Sequence, residues 1–388
     1  MTLIQLTTLK ETEMSKFIKL KTTETRLSTF LSLLTTSIDS KIVRPQIWGL
    51  FYLSSSMTKK ILIDFEKIKD PFSGLGQFCA HLKITFDKAK SPMSLSYWRP
   101  GKFQKLAKKI PFILPVSDVF HAVHQDSPYM PWLKKTKYIL TIHDLNALYE
   151  SSQYGTGEFY KFNLQKKIDR ADVITFISKF TGDEVAKNFR IDLKKTQVIY
   201  NGIALGDKAS EPQLVPQGPF LFSVGTVLPK KNFHVLIDFL KLLPEYKIVL
   251  AGTTFHAYAK EMQKRIIDEG LAERFFLIGT IDEGHKIWYY QHASAFIFPS
   301  LLEGFGLPVA EAMSMGLPLF ISDKTCLPEI GGDDAYYFKS FDPEVMRDVF
   351  ISGMKDFTPE KKLRLIERSK MFDWEKAANT YLNIYKNL

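Results

Sequence analysis

The sequence predicts an α/β protein of two doubly wound, Rossmann-like domains that face each other across a cleft. Three observations predict this class. Short apolar runs alternate with segments of helical spacing throughout residues 58–388. Several of these runs end in glycines or polar side chains, where a doubly wound sheet places its ligand site. The length of 388 residues, with 45% hydrophobic residues, is enough for two ordinary cores.

Composition excludes several other classes of protein. The two cysteines, Cys79 and Cys326, are far apart in sequence and lack metal-ligand spacing. The sequence therefore supports neither a disulfide framework nor a zinc site, and it fits a reducing cytoplasm. No apolar run reaches the roughly 18 residues that a membrane span requires. The sequence also lacks the layout of a signal peptide.

The net charge of +10 is concentrated in the first half of the chain. Residues 1–205 contain 31 Lys and Arg against 18 Asp and Glu, whereas the remainder contains 21 against 24. This excess favours an anionic partner: a nucleic acid, an anionic membrane face or a phosphorylated acceptor. Basic and aromatic residues do not interleave as in a stacking platform for nucleic acid, so we expect no nucleic-acid partner.

The fold is expected to begin near residue 58. Residues 1–57 are rich in Ser and Thr and lack a strand–turn–helix rhythm, so we interpret them as an N-terminal extension outside the fold. The first core strand is predicted at residues 61–64. A glycine turn, Ser73-Gly74-Leu75-Gly76, then precedes a helix predicted from residue 77 to about 88. This turn either offers a phosphate site at the helix N-terminus or is an ordinary strand–helix connection.

Two lysine clusters account for part of the charge. Residues 101–110 have the pattern of a small basic amphipathic helix, which could rest on anionic lipid or lie on the surface as a solvated helix. The lysines of this helix are Lys102, Lys105, Lys108 and Lys109, and those of the second cluster are Lys134, Lys135 and Lys137.

Polar residues follow two predicted strands of the first domain, at residues 118–123 and 138–142. The second strand leads into His143, whose imidazole either hydrogen-bonds a ligand or only caps the strand end. A later strand ends before Ser178, the predicted N-cap of the next helix.

A connection between the two domains is predicted after a last strand at residues 198–203. Residues 204–218 are rich in Pro, Ser and Gly, which is typical of a linker. The second domain restarts with a strand that ends at Gly225. Lys230 and Lys231 follow that strand, with a helix predicted from about residue 233. Cations at a strand end can offset negative charge on a leaving phosphate, although a solvated surface pair is the alternative.

The stretch from residue 299 to residue 332 carries the strongest pattern. A buried strand at residues 293–298 feeds the glycine-rich turn Gly304-Phe305-Gly306, and Pro308 opens a helix. Unpaired N–H groups at this helix N-terminus favour a phosphate. Glu303 and Glu311 flank the turn, and their carboxylates suit hydroxyl groups rather than phosphate.

The segment from Glu303 to Glu311, with Gly-Phe-Gly-Leu-Pro between the two carboxylates, resembles the signature of the retaining GT-B glycosyltransferases of family 4. Met-Gly-Leu-Pro at residues 315–318 and Leu-Pro-Glu at 327–329 follow in family order. The resemblance spans roughly residues 58–388 and is patchy before residue 138. It implies a nucleotide-sugar site.

The resemblance implies roles for single residues. The hydroxyls of the donor sugar would be held by Glu303 and by the N–H groups of Gly304, Phe305 and Gly306. The N–H group of Leu307 would meet the diphosphate, and Glu311 would take the ribose hydroxyls. Further donor contacts are implied for Gly74, Gly76, Gly225, Lys230, Lys231, Ile281 and His143.

Two of these implied roles concern the reaction itself. His143 would lie near the reacting carbon of the donor sugar, and Lys231 would bind the phosphates. Some family members place an arginine directly after the glycine that is Gly225 here. This sequence has Thr226 at that position, which leaves Lys230 and Lys231 as the main phosphate cations.

The activity implied by the resemblance is the transfer of a hexose such as mannose, glucose or galactose, with retained anomeric configuration. The donor would be a nucleotide-diphosphate sugar, and the acceptor a hydroxyl of a glycan or of a lipid-linked glycan in cell-envelope assembly. We expect neither a metal nor another cofactor, and a location in the cytoplasm or on the inner membrane face. A non-catalytic module that binds sugar nucleotides or polyanions is the alternative.

The domain boundaries follow from the same comparison. We expect an acceptor-side domain at residues 58–205 and a donor-binding domain at residues 206–372. The final helix, at residues 373–388, is expected to pack back onto the first domain.

Overall fold

The structure is a computed structural model that describes residues 58–70, 73–100, 114–149, 157–206 and 208–388. The proposed extension at residues 1–57 and the basic helix at residues 101–110 lie outside the described residues.

The first half of the fold is built on a six-stranded sheet with the order β2-β1-β3-β4-β5-β6. Every neighbouring pair in this sheet is parallel. The four inner strands are mostly apolar and buried, as expected where helices cover both faces of a parallel sheet, whereas the edge strands β2 and β6 are more exposed. They are β1 (Lys60–Asp64), β2 (Ser94–Trp98), β3 (Val119–Ala122), β4 (Lys137–Ile142), β5 (Val173–Phe176) and β6 (Thr196–Val198).

The helices of this half are α1 (Gly74–Lys88), α2 (Asn146–Tyr149), α3 (Gly157–Arg170) and α4 (Lys179–Asn188). The prediction for α1 began three residues late. Ser73 is the N-cap, because its hydroxyl accepts the Gly76 N–H at 3.0 Å, so both glycines lie inside the first turn. Ser178 caps α4 as predicted, by accepting the N–H of Thr181.

The second half contains another parallel six-stranded sheet, with the order β12-β11-β10-β7-β8-β9. The strand order reverses between β7 and β10, since the chain adds strands outward on one side of β7 and then on the other. The strands are β7 (Phe220–Val224), β8 (Lys247–Ala251), β9 (Phe275–Gly279), β10 (Ala295–Phe298), β11 (Leu319–Ser322) and β12 (Tyr336–Phe338).

Helices cover this second sheet and complete its core. They are α5 (Val235–Lys241), α6 (Ala257–Asp268), α7 (Glu283–His292), α8 (Leu307–Ser314), α9 (Leu327–Gly331), α10 (Pro343–Asp356) and α11 (Pro359–Ser369). The prediction that α5 begins near residue 233 was two residues early. Asn232 adopts a left-handed conformation with φ 57° and ends the short turn Pro229–Lys231.

The last helix, α12 (Trp374–Asn387), packs on the first half. Its buried residues Ala377, Tyr381 and Tyr385 share a core with Ile61 and Phe78. Tyr385 Oη lies 2.7 Å from His121 Nδ1 in β3, so the contact is polar as well as apolar.

The strand predicted at residues 198–203 is wrong over most of its length. Strand β6 ends at Val198, although the Ile199 N–H still donates to Phe176 O at 2.8 Å. Beyond it the backbone turns to the C-terminal segment, and the Ile203 N–H donates to Phe372 O at 3.0 Å. The predicted class, an α/β fold of two doubly wound halves, is confirmed by the two sheets.

Candidate active site

Part of the predicted donor set lies at the carboxyl ends of two neighbouring strands: Gly225, Lys230 and Lys231 follow β7, and residues 303–307 follow β10. In an open α/β sheet, ligands bind beyond the strand ends where the strand order reverses, because the connections there diverge and leave a crevice. The turn Pro229–Lys231 follows β7, and Glu303 with its glycine loop follows β10. The main chain of Lys230 joins the two segments, since Lys230 O accepts the Leu301 N–H at 2.8 Å and the Ser300 hydroxyl at 3.3 Å.

Lys231 and Glu303 form an ion pair at this crevice. The Lys231 ammonium donates to Glu303 Oε1, and their side chains are only 15% and 11% exposed. The ammonium also lies 5.2 Å from the ring centre of Phe298, the last residue of β10. A Cβ added at Gly225 would lie 3.9 Å from Lys231 Cε, which places this predicted glycine beside the same lysine. Lys230 is half-buried on the same turn.

The loop between Glu303 and α8 presents unused backbone donors. No residue of the described chain accepts a hydrogen bond from the N–H groups of Gly304, Phe305, Gly306 or Leu307. These are the orphan donors expected at a helix N-terminus, where the helix dipole adds positive potential. Four consecutive N–H groups of this loop therefore have no partner among the described residues.

Two glycines of this loop are required by their surroundings. A Cβ at Gly304 would lie 2.2 Å from the carbonyl oxygen of His143, so only glycine lets the loop approach the first half so closely. Gly306 has φ 87°, a conformation that favours glycine, and a Cβ there would meet Leu327 at 2.8 Å. Phe305 is buried against Phe372, so only its main chain can face a ligand.

Glu311 is held by two partners from α7. Its Oε1 accepts from Lys286 Nζ at 2.7 Å and its Oε2 from Tyr290 Oη at 2.9 Å. Burial, with the neighbouring carboxylate, raises the pKa of Tyr290, so the phenol stays a donor. A carboxylate has about four lone-pair sites, so Glu311 retains capacity for hydroxyl groups. Sequence reasoning missed Lys286 and Tyr290, which carry no local signal beyond their spacing of one helical turn.

His143 follows β4 in the first half, and its carbonyl oxygen lies beside Gly304 of the glycine loop. Its ring Nε2 lies 2.8 Å from Val123 O, which fixes the proton on that nitrogen. Burial lowers the pKa of His143 to about 4, so the ring is neutral at physiological pH and Nδ1 is an acceptor. The His143 N–H donates to Gln125 Oε1 at 3.0 Å, which orients the backbone after β4.

The glycine turn before α1 is explained partly by local packing. A Cβ at Gly76 would collide with Asp70 O at 1.7 Å, whereas nothing lies within 4 Å of one at Gly74. Helix α1 nevertheless faces the second half. Burial lowers the pKa of His81 on α1, and the charges of Lys286 and Glu311 act on the same imidazole. The imidazole of His81 on α1 is therefore close enough to the Lys286–Glu311 ion pair to feel its charges.

Ile281 lies after β9, where Gly279 has φ 71°. Its side chain is half-buried against the core of the second half. No hydrogen bond or ion pair of the described residues joins Ile281 to the other predicted donor residues.

A cavity of about 140 Å³ lies beside Glu303, between the two halves. The first half contributes Asp144, Tyr149 and Glu184, and Tyr149 Oη donates to Glu184 Oε2 at 2.6 Å. The second half contributes Leu302 and Thr325 besides Glu303. This mixture of carboxylates, an aromatic ring and apolar walls suits a neutral, hydroxyl-rich ligand.

Within the described ranges, no three His, Cys, Asp or Glu side chains are grouped so that they could hold a metal ion. The polar groups around the loop include two lysine–carboxylate pairs, a neutral histidine and backbone donors.

Two relatives and one solved structure are informative. O-antigen chain mannosyltransferase B of Escherichia coli is 26% identical over 286 residues, 68% of this chain and 74% of that protein. The N-acetylgalactosamine-N,N'-diacetylbacillosaminyl-diphospho-undecaprenol 4-alpha-N-acetylgalactosaminyltransferase of Campylobacter jejuni is 29% identical over 57% of this chain and 62% of its own. Anabaena HepE, solved with UDP and glucose, has a TM-score of 0.65 at 15% identity, over 85% of this chain and 100% of HepE.

Two family models match consecutive parts of the chain. The model described as Glycosyltransferase Family 4 matches residues 80–206, and the one described as Glycosyl transferases group 1 matches residues 207–371. The likeness to HepE shows the fold alone, and it is the GT-B fold that two facing doubly wound sheets form. The chain belongs to the group 1, family 4 glycosyltransferases with the GT-B fold.

Proposed function

We propose that this glycosyltransferase moves a hexose, with mannose as the first candidate, from a nucleoside-diphosphate sugar to a hydroxyl of a lipid-linked glycan. The name of the Escherichia coli relative supports mannose and O-antigen assembly. The name of the Campylobacter jejuni relative supports an acceptor on a polyprenyl diphosphate. Assembly of a cell-envelope polysaccharide is the corresponding process.

The single observation that carries the proposal is the loop from Glu303 to Leu307. It combines four backbone N–H groups without a partner and a carboxylate whose Oε2 has no partner in the described chain. The N–H groups suit phosphate oxygens and electron-rich hydroxyls, and the carboxylate accepts from sugar hydroxyls. A sugar and a diphosphate bound side by side would use both kinds of group.

Lys231 is the group that we assign to the leaving diphosphate. During transfer the bond between the anomeric carbon and the diphosphate breaks, and negative charge builds on the departing oxygen. A lysine ammonium beside the loop stabilises that charge more in the transition state than in the ground state. The ion pair with Glu303 keeps the phosphate-binding and sugar-binding groups adjacent before the donor arrives.

Retention of configuration is part of the proposal. The acceptor hydroxyl would form its new bond on the face that the diphosphate leaves, and its proton would pass to a diphosphate oxygen. No side-chain nucleophile is needed for this step. His143, neutral and with Nδ1 as an acceptor, would hold a sugar hydroxyl rather than supply a proton.

The acceptor sugar would occupy the cavity beside Glu303. Asp144 and Glu184 offer acceptors for its hydroxyls, and the ring of Tyr149 offers a face against which a sugar can stack. Because the first half provides these three residues, it would determine which acceptor is used.

The test of this function is a transfer assay with a panel of UDP- and GDP-hexoses and a polyprenyl-diphosphate-linked glycan. Product formation with one donor, an α-linked product from an α-linked donor by NMR, and loss of product in Glu303→Gln are expected. A protein that binds the nucleotide sugars but produces neither transfer nor donor hydrolysis would be a binding module instead.

Membrane contact is a separate part of the proposal. No helix of the described chain has both the length and the apolar composition to cross a bilayer. The excess of basic residues lies in residues 1–205, whereas the half that must hold the diphosphate has slightly more acidic than basic residues. Each lysine near an anionic leaflet adds about 1 kcal/mol of attraction.

Co-sedimentation with anionic and neutral vesicles tests the membrane contact. We expect wild type to bind anionic vesicles and to be released by salt, because the Debye length is about 8–10 Å at ordinary ionic strength. A variant with glutamate at Lys102, Lys105, Lys108 and Lys109 is expected to bind more weakly. Equal binding to both vesicle types, or unchanged binding of the variant, would leave a soluble acceptor as the better explanation.

A further inference from the structure

The Leu-Pro-Glu segment at residues 327–329 has no role in the reaction described above. The structure places its glutamate at the start of α4, a helix of the other half. Glu329 Oε1 accepts the Lys179 N–H at 2.7 Å, and Glu329 Oε2 accepts the Phe180 N–H at 2.9 Å. The hydroxyl of Tyr200 also bonds this carboxylate.

These contacts complete the cap of α4. A helix begins with N–H groups that have no partner inside the helix, and the dipole favours negative charge there. Within the first half, the Ser178 hydroxyl accepts the N–H of Thr181 at 3.1 Å. The N–H groups of Lys179 and Phe180 are therefore capped by a carboxylate from the second half.

The same turn of α4 also binds the donor loop. Ser178 Oγ donates to Gly304 O at 2.8 Å. Thr181 Oγ1 lies 3.1 Å from His143 O and 3.4 Å from Gly304 O, so it joins the histidine segment to the glycine loop. One helical turn thus fixes the position of the loop after Glu303 relative to His143.

We propose that Glu329 is a positioning residue: its carboxylate clamps the two halves in the arrangement in which the donor loop and His143 meet. The clamp consists of Glu329, Ser178, Thr181 and Gly304. The effect of the clamp on sugar transfer rests on the proposed function. The existence of the clamp does not depend on that function, because all of its contacts lie within the protein.

The carboxylate contributes only while the cleft is closed. Lys179 and Phe180 belong to the first half and Glu329 to the second, so separating the halves breaks both bonds. The main chain of α9 has its own support, because Arg368 donates to Glu329 O at 2.6 Å and to Ile330 O at 3.0 Å. Changing the side chain therefore leaves α9 anchored and removes the link across the cleft.

The test compares Glu329→Gln and Glu329→Ala with the control Glu344→Gln. Glu344 is an exposed glutamate in the first turn of α10, so the control makes the same change of charge in the same half. Spin or fluorescence labels at Arg190→Cys and Asp348→Cys report the separation of the halves. Both sites are exposed, with side chains 87% and 70% accessible. The native cysteines are buried.

We expect Glu329→Ala to lengthen the mean label distance and broaden its distribution, with a smaller effect in Glu329→Gln and none in the control. The dissociation constant for the nucleoside diphosphate should stay within about twofold, because Lys231 and Glu311 are untouched. The turnover number should fall at least tenfold in Glu329→Ala, with the KM for donor changed much less.

Other outcomes overturn the inference. An unchanged label distance in Glu329→Ala shows that the clamp does not hold the halves. A longer distance with unchanged turnover shows that the clamp has no positioning role, and a lower melting temperature with unchanged distance and turnover indicates a purely structural role. If wild type transfers no sugar at all, the label distances alone decide whether the clamp exists, so its failure is distinct from failure of the proposed function.

Discussion

Replacing Glu303 by glutamine tests the ion pair and the donor site together. The change keeps the shape of the side chain but removes the charge that neutralises Lys231. Because both side chains are at most 15% exposed, the lysine would be left as a mostly buried cation without its partner. Breaking such a pair costs about 3–5 kcal/mol when it is fully buried, and we expect the lower end here.

A double-mutant cycle separates the coupling free energy of the ion pair from the effects of the two single substitutions. Lys231→Met with Glu303→Gln removes both charges, so the double variant should be more stable than the sum of the two single losses predicts. Urea unfolding followed by circular dichroism provides the free energies. Glu344→Gln, an exposed change of the same kind, should differ from wild type by no more than about 0.5 kcal/mol.

Transfer provides the second measurement on the same variants. Losing a charged hydrogen bond to a sugar hydroxyl costs about 1.5–3 kcal/mol, which corresponds to a roughly 10- to 150-fold loss of kcat/KM in Glu303→Gln. A folded Glu303→Gln with wild-type kcat/KM would refute its role in the donor site. A coupling energy near zero in the cycle would show that the ion pair does not form in solution.

Two further predictions concern Lys231 and His143. Lys231→Ala should lower the turnover number more than donor affinity, because charge on the leaving diphosphate grows toward the transition state. Steady-state kinetics gives the turnover number and calorimetry gives the donor affinity. Equal losses in both would show that Lys231 only binds the donor. The pKa of buried His143 lies at about 4, below its ordinary 6.5. Between pH 4 and pH 6.5, the unfolded chain therefore binds a proton at this histidine that the folded protein does not bind. Stability should therefore be complete above pH 6.5 and fall as the pH is lowered toward 4, and His143→Gln should flatten that part of the unfolding profile; an unchanged slope would contradict the burial argument.

The sequence was sufficient for the fold class and for placing Lys231 at the same crevice as the glycine loop after β10, but it did not predict the ion pair of Lys231 with Glu303. Both predictions follow from strong local signals: apolar strands of the right length, and the rule that carboxyl ends of parallel strands share one edge. The signals were weaker at helix starts. Gly74 and Gly76 belong to α1 because Ser73 caps it, and Asn232 delays α5 by adopting a left-handed backbone.

Contacts between distant segments could not be predicted from local pattern. Lys286 lies 25 positions before Glu311, and nothing near either residue in sequence indicates that they pair. The same is true of Glu329, whose partners Lys179 and Phe180 lie about 150 positions earlier. Gly76 is a case in which a local pattern was misleading. The glycine was expected to make room for a ligand, but the space beside it is filled by Asp70 O.

The paired crossings of the chain between the two halves determine how they can move. The chain leaves the first half after Ile203 and returns before Trp374, and the Ile203 N–H donates to Phe372 O at 3.0 Å. A Cβ at Gly202 would lie 2.3 Å from Trp374 N, so the two passages lie side by side. Two adjacent chain passages define one hinge axis, and they restrict a rotation of one half relative to the other about any different axis. Opening and closing of the cleft should then be a rotation about this single hinge axis.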